Sequence, residues 1–424
     1  MRISHPIYTT GARVLTLTAH VLLLFLVASR LGAAAQGIFA HASNIGAILV
    51  FVLGSGLETS NTYYISRNQR RYLAPCYISS LLYIAAVSTL CGIALVVLIR
   101  LNPAYFMGYP AAFQALLPFL LLGQLLVIIN NSVILGIKEY HYYFLSVFLQ
   151  NIIIVLASIV MMVTNTVTLP IAMGLWVGSF GCPALLQIII ILRSPHFCLS
   201  GVRHIRRVLP LQAHYALRTN IGSIAQSLTF RLDALILRLF APFQVVGTYA
   251  VAASVSEAIL FVPKGLATYL LSHLSSQRSQ LTRAIWRRYL LLLPVLGIFA
   301  FTIGWAGGWL PVLLGRSEYI ASVPYLRILL VGTVCMGWGM IIASHLNALN
   351  RPELVTAASL CALIVTVLGD FLFIPRWQAY GASVVSATAY MLYAGLCARW
   401  MVALLRSNAL QSLKTVDLLP TKSE

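Results

Sequence analysis

The chain has 424 residues, 60% of them hydrophobic and only 9% charged, against roughly 25% charged in a soluble globular domain. A surface so poor in charge cannot face water, which excludes soluble enzymes and free-standing nucleic-acid binders. The net charge of +19, from 28 Lys+Arg against 9 Asp+Glu, belongs instead to segments that flank a membrane.

Apolar stretches near the 20 or so residues that span a bilayer are predicted at about 12–29, 37–57, 76–99, 113–135, 144–163 and 168–192. A second set follows at about 217–240, 245–270, 289–310, 325–348, 355–374 and 381–402. The predicted fold class is an all-α integral membrane protein with about 12 transmembrane helices. It divides into two six-helix lobes, residues 1–205 and 206–402, with a cytoplasmic tail over 403–424. With the N-terminus in the cytoplasm, Arg67, Arg70, Arg71, Arg203, Arg206, Arg207, Arg283, Arg287 and Arg288 all fall in inner segments. Only Arg30, Arg100, Arg316 and Arg376 fall in outer ones, so both termini are expected in the cytoplasm.

Arg2 and Arg13, an apolar run and Ala33-Ala34-Ala35 together resemble a secretory leader. An internal echo argues that this first span is retained. Arg30-Leu31 followed by Gly37-Ile38-Phe39-Ala40 recurs as Arg238-Leu239 followed by Gly247-Thr248-Tyr249-Ala250. Both copies join the first and second helices of their half. Parallel repeats of this kind are a transporter architecture with the substrate path between the halves.

Ionisable side chains inside spans cost at least about 2.5–3.5 kcal/mol each and default to functional candidates. The seventh and eighth spans concentrate them: Arg218, Arg231, Asp233, Arg238, Glu257 and Lys264. Helical spacing puts Asn220, Ser227, Arg231 and Arg238 on one face, and Glu257 and Lys264 on another. Arg231 and Glu257 reach similar depth and are expected to pair, with Asp233 half a turn round. Arg13, Thr16 and His20 form a polar stripe in the first span.

One reading is a cationic, water-filled cavity for an anionic headgroup, with Arg13, Arg218, Arg231 and Lys264 binding substrate. Asp233, Glu257 and Asp370 are then its polar or ion-coupling groups. The other reading is that Arg231, Asp233 and Glu257 simply neutralise one another between helices. Asp370 suits either an interfacial carboxylate or a proton or sodium site. Arg30, Arg238 and Arg399 lie at helix ends, where long cations reach back to the interface. His20 and His345 read as packed, hydrogen-bonded histidines.

Seven scattered cysteines without a Cys-x-x-Cys pair, and histidines without ligand spacing, give no sign of a disulfide framework or metal site. Catalytic residues are not expected either. Glu318 is the only acidic residue in any outer connection, so acids and bases for chemistry on lipid-linked sugars are missing there.

In this order the chain resembles the bacterial polysaccharide and O-antigen repeat-unit flippases of the multidrug/oligosaccharidyl-lipid/polysaccharide (MOP) exporter superfamily. The resemblance is carried by three strings. They are Arg30-Leu31-Gly32 with Gln36-Gly37-Ile38-Phe39-Ala40 and Gly54-Ser55-Gly56-Leu57, then Arg231-Leu232-Asp233 with its aliphatic run, then Leu346-Asn347-Ala348-Leu349-Asn350-Arg351-Pro352. The family's aspartate maps onto Asp233. Two departures stand out: Arg238-Leu239-Phe240 where many members carry glycine, and an end soon after the twelfth span, without the two further helices of peptidoglycan-precursor flippases.

The resemblance implies alternating access and a substrate made of an oligosaccharide on undecaprenyl pyrophosphate, a repeat unit of O-antigen, capsule or exopolysaccharide, moved from inner to outer leaflet. It implies no cofactor beyond a coupling H+ or Na+. Partners would be the lipid-linked oligosaccharide, membrane lipids and other glycan-assembly proteins, with no nucleic acid. The alternatives are a multidrug exporter and a non-transporting scaffold of a glycan-assembly complex.

Overall fold

The computed structural model describes residues 5–197, 205–267, 283–349 and 351–416. Among the described residues every regular element is a helix, as expected of an all-α membrane protein. The first half contains α1 (His5–Arg67), α2 (Gln69–Leu101), α3 (Ala111–Gly136), α4 (Tyr140–Val163), α5 (Leu169–Gly178) and α6 (Gly181–Leu192). The second contains α7 (Ile205–Thr229), α8 (Leu232–Phe240), α9 (Phe243–Glu257), α10 (Arg283–Ala306), α11 (Leu310–Leu314), α12 (Ser322–Ala348) and α13 (Pro352–Val416). Helix α9 runs on through a 3-10 turn (Ala258–Leu260) towards Ala267.

Nine stretches among the described residues are long and apolar enough to cross a membrane, against the twelve predicted. Two of the nine are double. Helices α1 and α13, of 63 and 65 residues, would each run roughly 95 Å if straight, three times the hydrocarbon thickness. Each therefore turns back on itself, α1 at Gly32 (φ 86°, ψ −179°) and α13 at Gln378 (φ 46°, ψ −126°). Leu23, Leu26 and Val27 before the first turn share a core with Ile38, Phe39 and Ala42 after it. Gly369 and Val385 meet across the second.

The remaining difference is the seventh predicted span, which is broken. Arg231 leaves the helical region (φ −128°, ψ −24°) and α8 starts afresh at Leu232. The expected single face through Asn220, Ser227, Arg231 and Arg238 is thereby lost, because the helical register does not carry across the break. The sixth predicted span is likewise two pieces, α5 and α6, parted at Ser179 and Phe180. Part of the expected tail, 403–416, continues α13; residues 417–424 lie outside the described residues.

Buried apolar side chains form separate cores. Leu23, Val27, Phe39, Met173, Trp176 and Phe180 belong to the first half, and Leu237, Tyr249, Leu326, Leu329 and Ile374 to the second. The halves meet at Ala28, Ala33, Val251, Leu314 and Tyr319. The echoed glycines lie beside this junction and face each other. A Cβ on Gly37 would strike the Phe243 carbonyl, and a Cβ on Gly247 would strike the Ala33 carbonyl, each four residues before the opposite glycine. Backbone thus packs on backbone, as small residues permit between membrane helices.

Candidate functional site

Arg231 sits at the break between α7 and α8, where one residue out of helical register can turn its side chain across to the other half. Its Nη1 donates to Asn44 Oδ1 of α1 at 3.2 Å and its Nη2 reaches Glu257 Oε2 of α9 at 3.5 Å. The side chains of Arg231 and Glu257 keep 37% and 23% of their exposure, so the protein does not seal the pair. The ion pair expected from spacing is present. His20 on α1 is exposed, bonded to the Thr16 carbonyl at 2.8 Å, and close enough to Arg231 to feel its charge. Lys264 is also exposed, with Nζ 5.6 Å from the Phe230 ring centroid. Arg13 and Arg218 lie on α1 and α7, but their side chains are outside the described residues.

Asp233 does not join Arg231. It is buried in the second half, in the first turn of α8, where Oδ1 accepts from the Ala234 N–H at 2.6 Å. Oδ2 accepts from Ser386 Oγ at 2.8 Å and from the Tyr249 hydroxyl. Asp370 on α13 is fully buried, and neither of its oxygens has a hydrogen-bond partner. Asp233 lies close enough to act on it electrostatically. The polar residues read from sequence as one group therefore separate: Arg231 and Glu257 lie where the halves meet, Lys264 lies beside Phe230, and Asp233 and Asp370 lie inside the second half.

Two polar assemblies had escaped the sequence reading. Gln212 of α7 is wholly buried against the first half; its Nε2 donates to Asn61 Oδ1 at 2.7 Å and its Oε1 accepts from Ser79 Oγ at 2.6 Å. An uncharged glutamine in an apolar run carries no charge signal, and only its burial marks it. The second assembly surrounds His41, whose Nδ1 and Nε2 lie 2.5 Å and 2.8 Å from the hydroxyls of Tyr109 and Tyr105. Both tyrosines belong to the connection between α2 and α3, and burial pushes the Tyr105 phenol up to about 12.

Arg238 reaches across to the connection between α2 and α3. It donates to the carbonyls of Ala104, Tyr105 and Ala241 at 3.1 Å each and stacks 4.0 Å from the Phe243 centroid. His345 is packed as expected, with Nδ1 2.7 Å from the Tyr289 hydroxyl. Among the described residues no three His, Cys, Asp or Glu side chains gather into a metal-binding group, and the six described cysteines are unpaired.

No protein-family model and no curated protein matches the sequence. Solved structures do share the fold. An inward-facing conformation of a multidrug resistance MATE family transporter of the MOP superfamily superposes with a TM-score of 0.75 at 14% identity, over 92% of this chain and 95% of that one. The lipid II flippase MurJ, in an inward closed conformation, gives 0.68 at 14% identity over 97% and 93%. An outward-facing MATE family transporter gives 0.61 at 14% identity over 95% and 94%. The chain has the fold of MOP transporters.

Proposed function

We propose that this MOP-fold protein is a flippase for an oligosaccharide carried on undecaprenyl pyrophosphate, moved from the inner to the outer leaflet of a bacterial inner membrane by alternating access. Arg231 carries the reading. A guanidinium held between the halves, partly exposed and only loosely tied to Glu257, keeps donors for a phosphate, and its planar fork matches two phosphate oxygens at once. Lys264 adds a second exposed cation, and Arg13 and Arg218 are proposed to extend the lining. The polyprenyl tail needs no protein cavity, since lipid solvates it. A multidrug exporter is the second reading, favoured by the TM-score of 0.75 with a MATE transporter. Cations between the halves would repel cationic drugs, which sets it behind the flippase.

Asp233 and Asp370 are proposed to hold the coupling cation, H+ or Na+. A carboxylate buried without donors is costly, and a bound cation removes that cost. Both termini are assigned to the cytoplasm, with residues 1–205 and 206–402 as the moving lobes.

The test is export in cells and lipid-linked sugar on each leaflet. Arg231→Ala and Lys264→Ala proteins present at normal abundance should leave the lipid-linked oligosaccharide on the inner leaflet, with Lys264→Arg milder. Wild-type export from both alanine variants would overturn the assignment.

A further inference from the structure

At the end of the bundle that carries the Gly32 turn, each half grips the other through a connection between its helices. From the second half, Arg316 Nε donates to the Ser29 carbonyl at 2.8 Å and Nη2 to the Arg30 carbonyl at 2.7 Å. The Tyr319 hydroxyl donates to the Ala28 carbonyl at 3.2 Å, and Glu318 Oε2 accepts from the Ala33 N–H at 3.4 Å. From the first half, the 102–110 connection supplies the Ala104 and Tyr105 carbonyls to Arg238, and the Tyr105 hydroxyl donates to the Leu235 carbonyl at 3.2 Å.

The two grips correspond by position. Each connection follows the third predicted span of its own half, and each seizes the turn between the first two spans of the other. Ala28, Ser29 and Arg30 lie in the last turn before the Gly32 break in α1, where carbonyls run out of helical partners, and Leu235 lies little more than one turn before the end of α8. Cations at these carbonyl ends, and Glu318 at the restarting N–H end, are each placed to suit the helix dipole. Gly37 and Gly247 cross directly beneath.

We propose that these contacts form a reciprocal latch that holds the two halves shut at this end, with Arg316, Glu318 and Tyr319 as one arm and Arg238 and Tyr105 as the other. This rests on the alternating-access reading, in which this end must open once per cycle. The latch suits that task because its charged pair is not sealed. Arg316 and Glu318 keep 35% and 26% of their exposure, so water replaces the lost partners when the halves part and the contacts reform without an uncompensated charge.

The experiment measures conformation rather than transport. Spin labels at Leu101→Cys and Leu313→Cys, both exposed near this end and outside the latch, report the separation of the halves in nanodiscs, with native cysteines replaced. Hydrogen exchange of the 28–35 amides on the unmodified cysteine background gives an independent reading. Arg238→Ala/Arg316→Ala should add a longer-distance population and speed exchange at 28–35 by at least about tenfold. If the double variant does not fold, Arg316→Lys and Tyr105→Phe, which each remove a carbonyl contact and keep charge or ring, should shift both readouts in the same direction. Folded variants with unchanged distances and exchange overturn the latch. A shift in proteins whose wild type moves no lipid-linked sugar upholds the latch and refutes the substrate instead.

Discussion

The weight of the Arg231–Glu257 pair decides between a transport site and interhelical glue, and its magnitude can be worked from the geometry. At 3.5 Å the bare Coulomb attraction is about 1.2 kcal/mol in water and about 4.7 kcal/mol at an effective dielectric of 20. With 37% and 23% exposure, screening and side-chain ordering reduce this to about 0–1 kcal/mol. The Asn44 hydrogen bond adds about 1 kcal/mol. Arg231→Ala should therefore cost less than about 2 kcal/mol of stability, against about 3–5 kcal/mol for breaking a sealed pair. The assay is thermal unfolding in detergent and abundance in the membrane, measured beside export. The expected outcome is a nearly normal amount of folded protein that does not export. Arg231→Glu combined with Glu257→Arg should restore any lost abundance but not export, since the cation has moved to the other helix. A loss above 3 kcal/mol from Arg231→Ala, with the swap restoring stability and export together, would refute the reasoning and leave a structural pair.

Gly247→Ala or Gly37→Ala forces apart two backbones in contact and should cost about 1–3 kcal/mol in thermal unfolding, while Gly395→Ala, with nothing within 4 Å, should cost nothing. Asp370→Asn removes a charge that no donor meets; it should leave the protein as stable or more so, and thermal stability should lose its response to Na+ or to acid, with a retained response counting against the ion site. The Tyr105 phenol, held at about 12 against an ordinary value near 10, contributes stability that is intact below pH 10 and lost between 10 and 12; absorbance titration of wild type against Tyr105→Phe checks this. Cysteine labelling should place positions near 68, 202 and 282 in the cytoplasm and near 106 and 318 outside, and outside labelling near 202 would break the two-lobe topology.

Much of this protein was legible in its residues because a bilayer imposes simple rules. Apolar runs of fixed length give the helices, and the charge ratio excludes a soluble fold. The strings around Gly37 and Gly247 echo each other, and the two glycines do meet. Arg231 and Glu257 were paired correctly by counting from the turn near Phe243, since depth in a membrane follows from chain position. The count misled in one respect: Arg231 lies outside helical geometry, and periodicity has no means of seeing a break that contains neither glycine nor proline.

What composition and spacing determined was therefore the class and the helices that carry charge. The tertiary structure alone decided that Asp233 and Asp370 leave Arg231 and lie together in the second half, for their distance depends on how α8 packs against α13. It also made Arg238, read as a helix-end cation, and Arg316, read only as an outer one, into clamps on carbonyls of the opposite half. Those acceptors are backbone atoms, identical in every residue, so no side-chain pattern announces them; a helix end becomes a partner only when the fold brings another half's arginine to it.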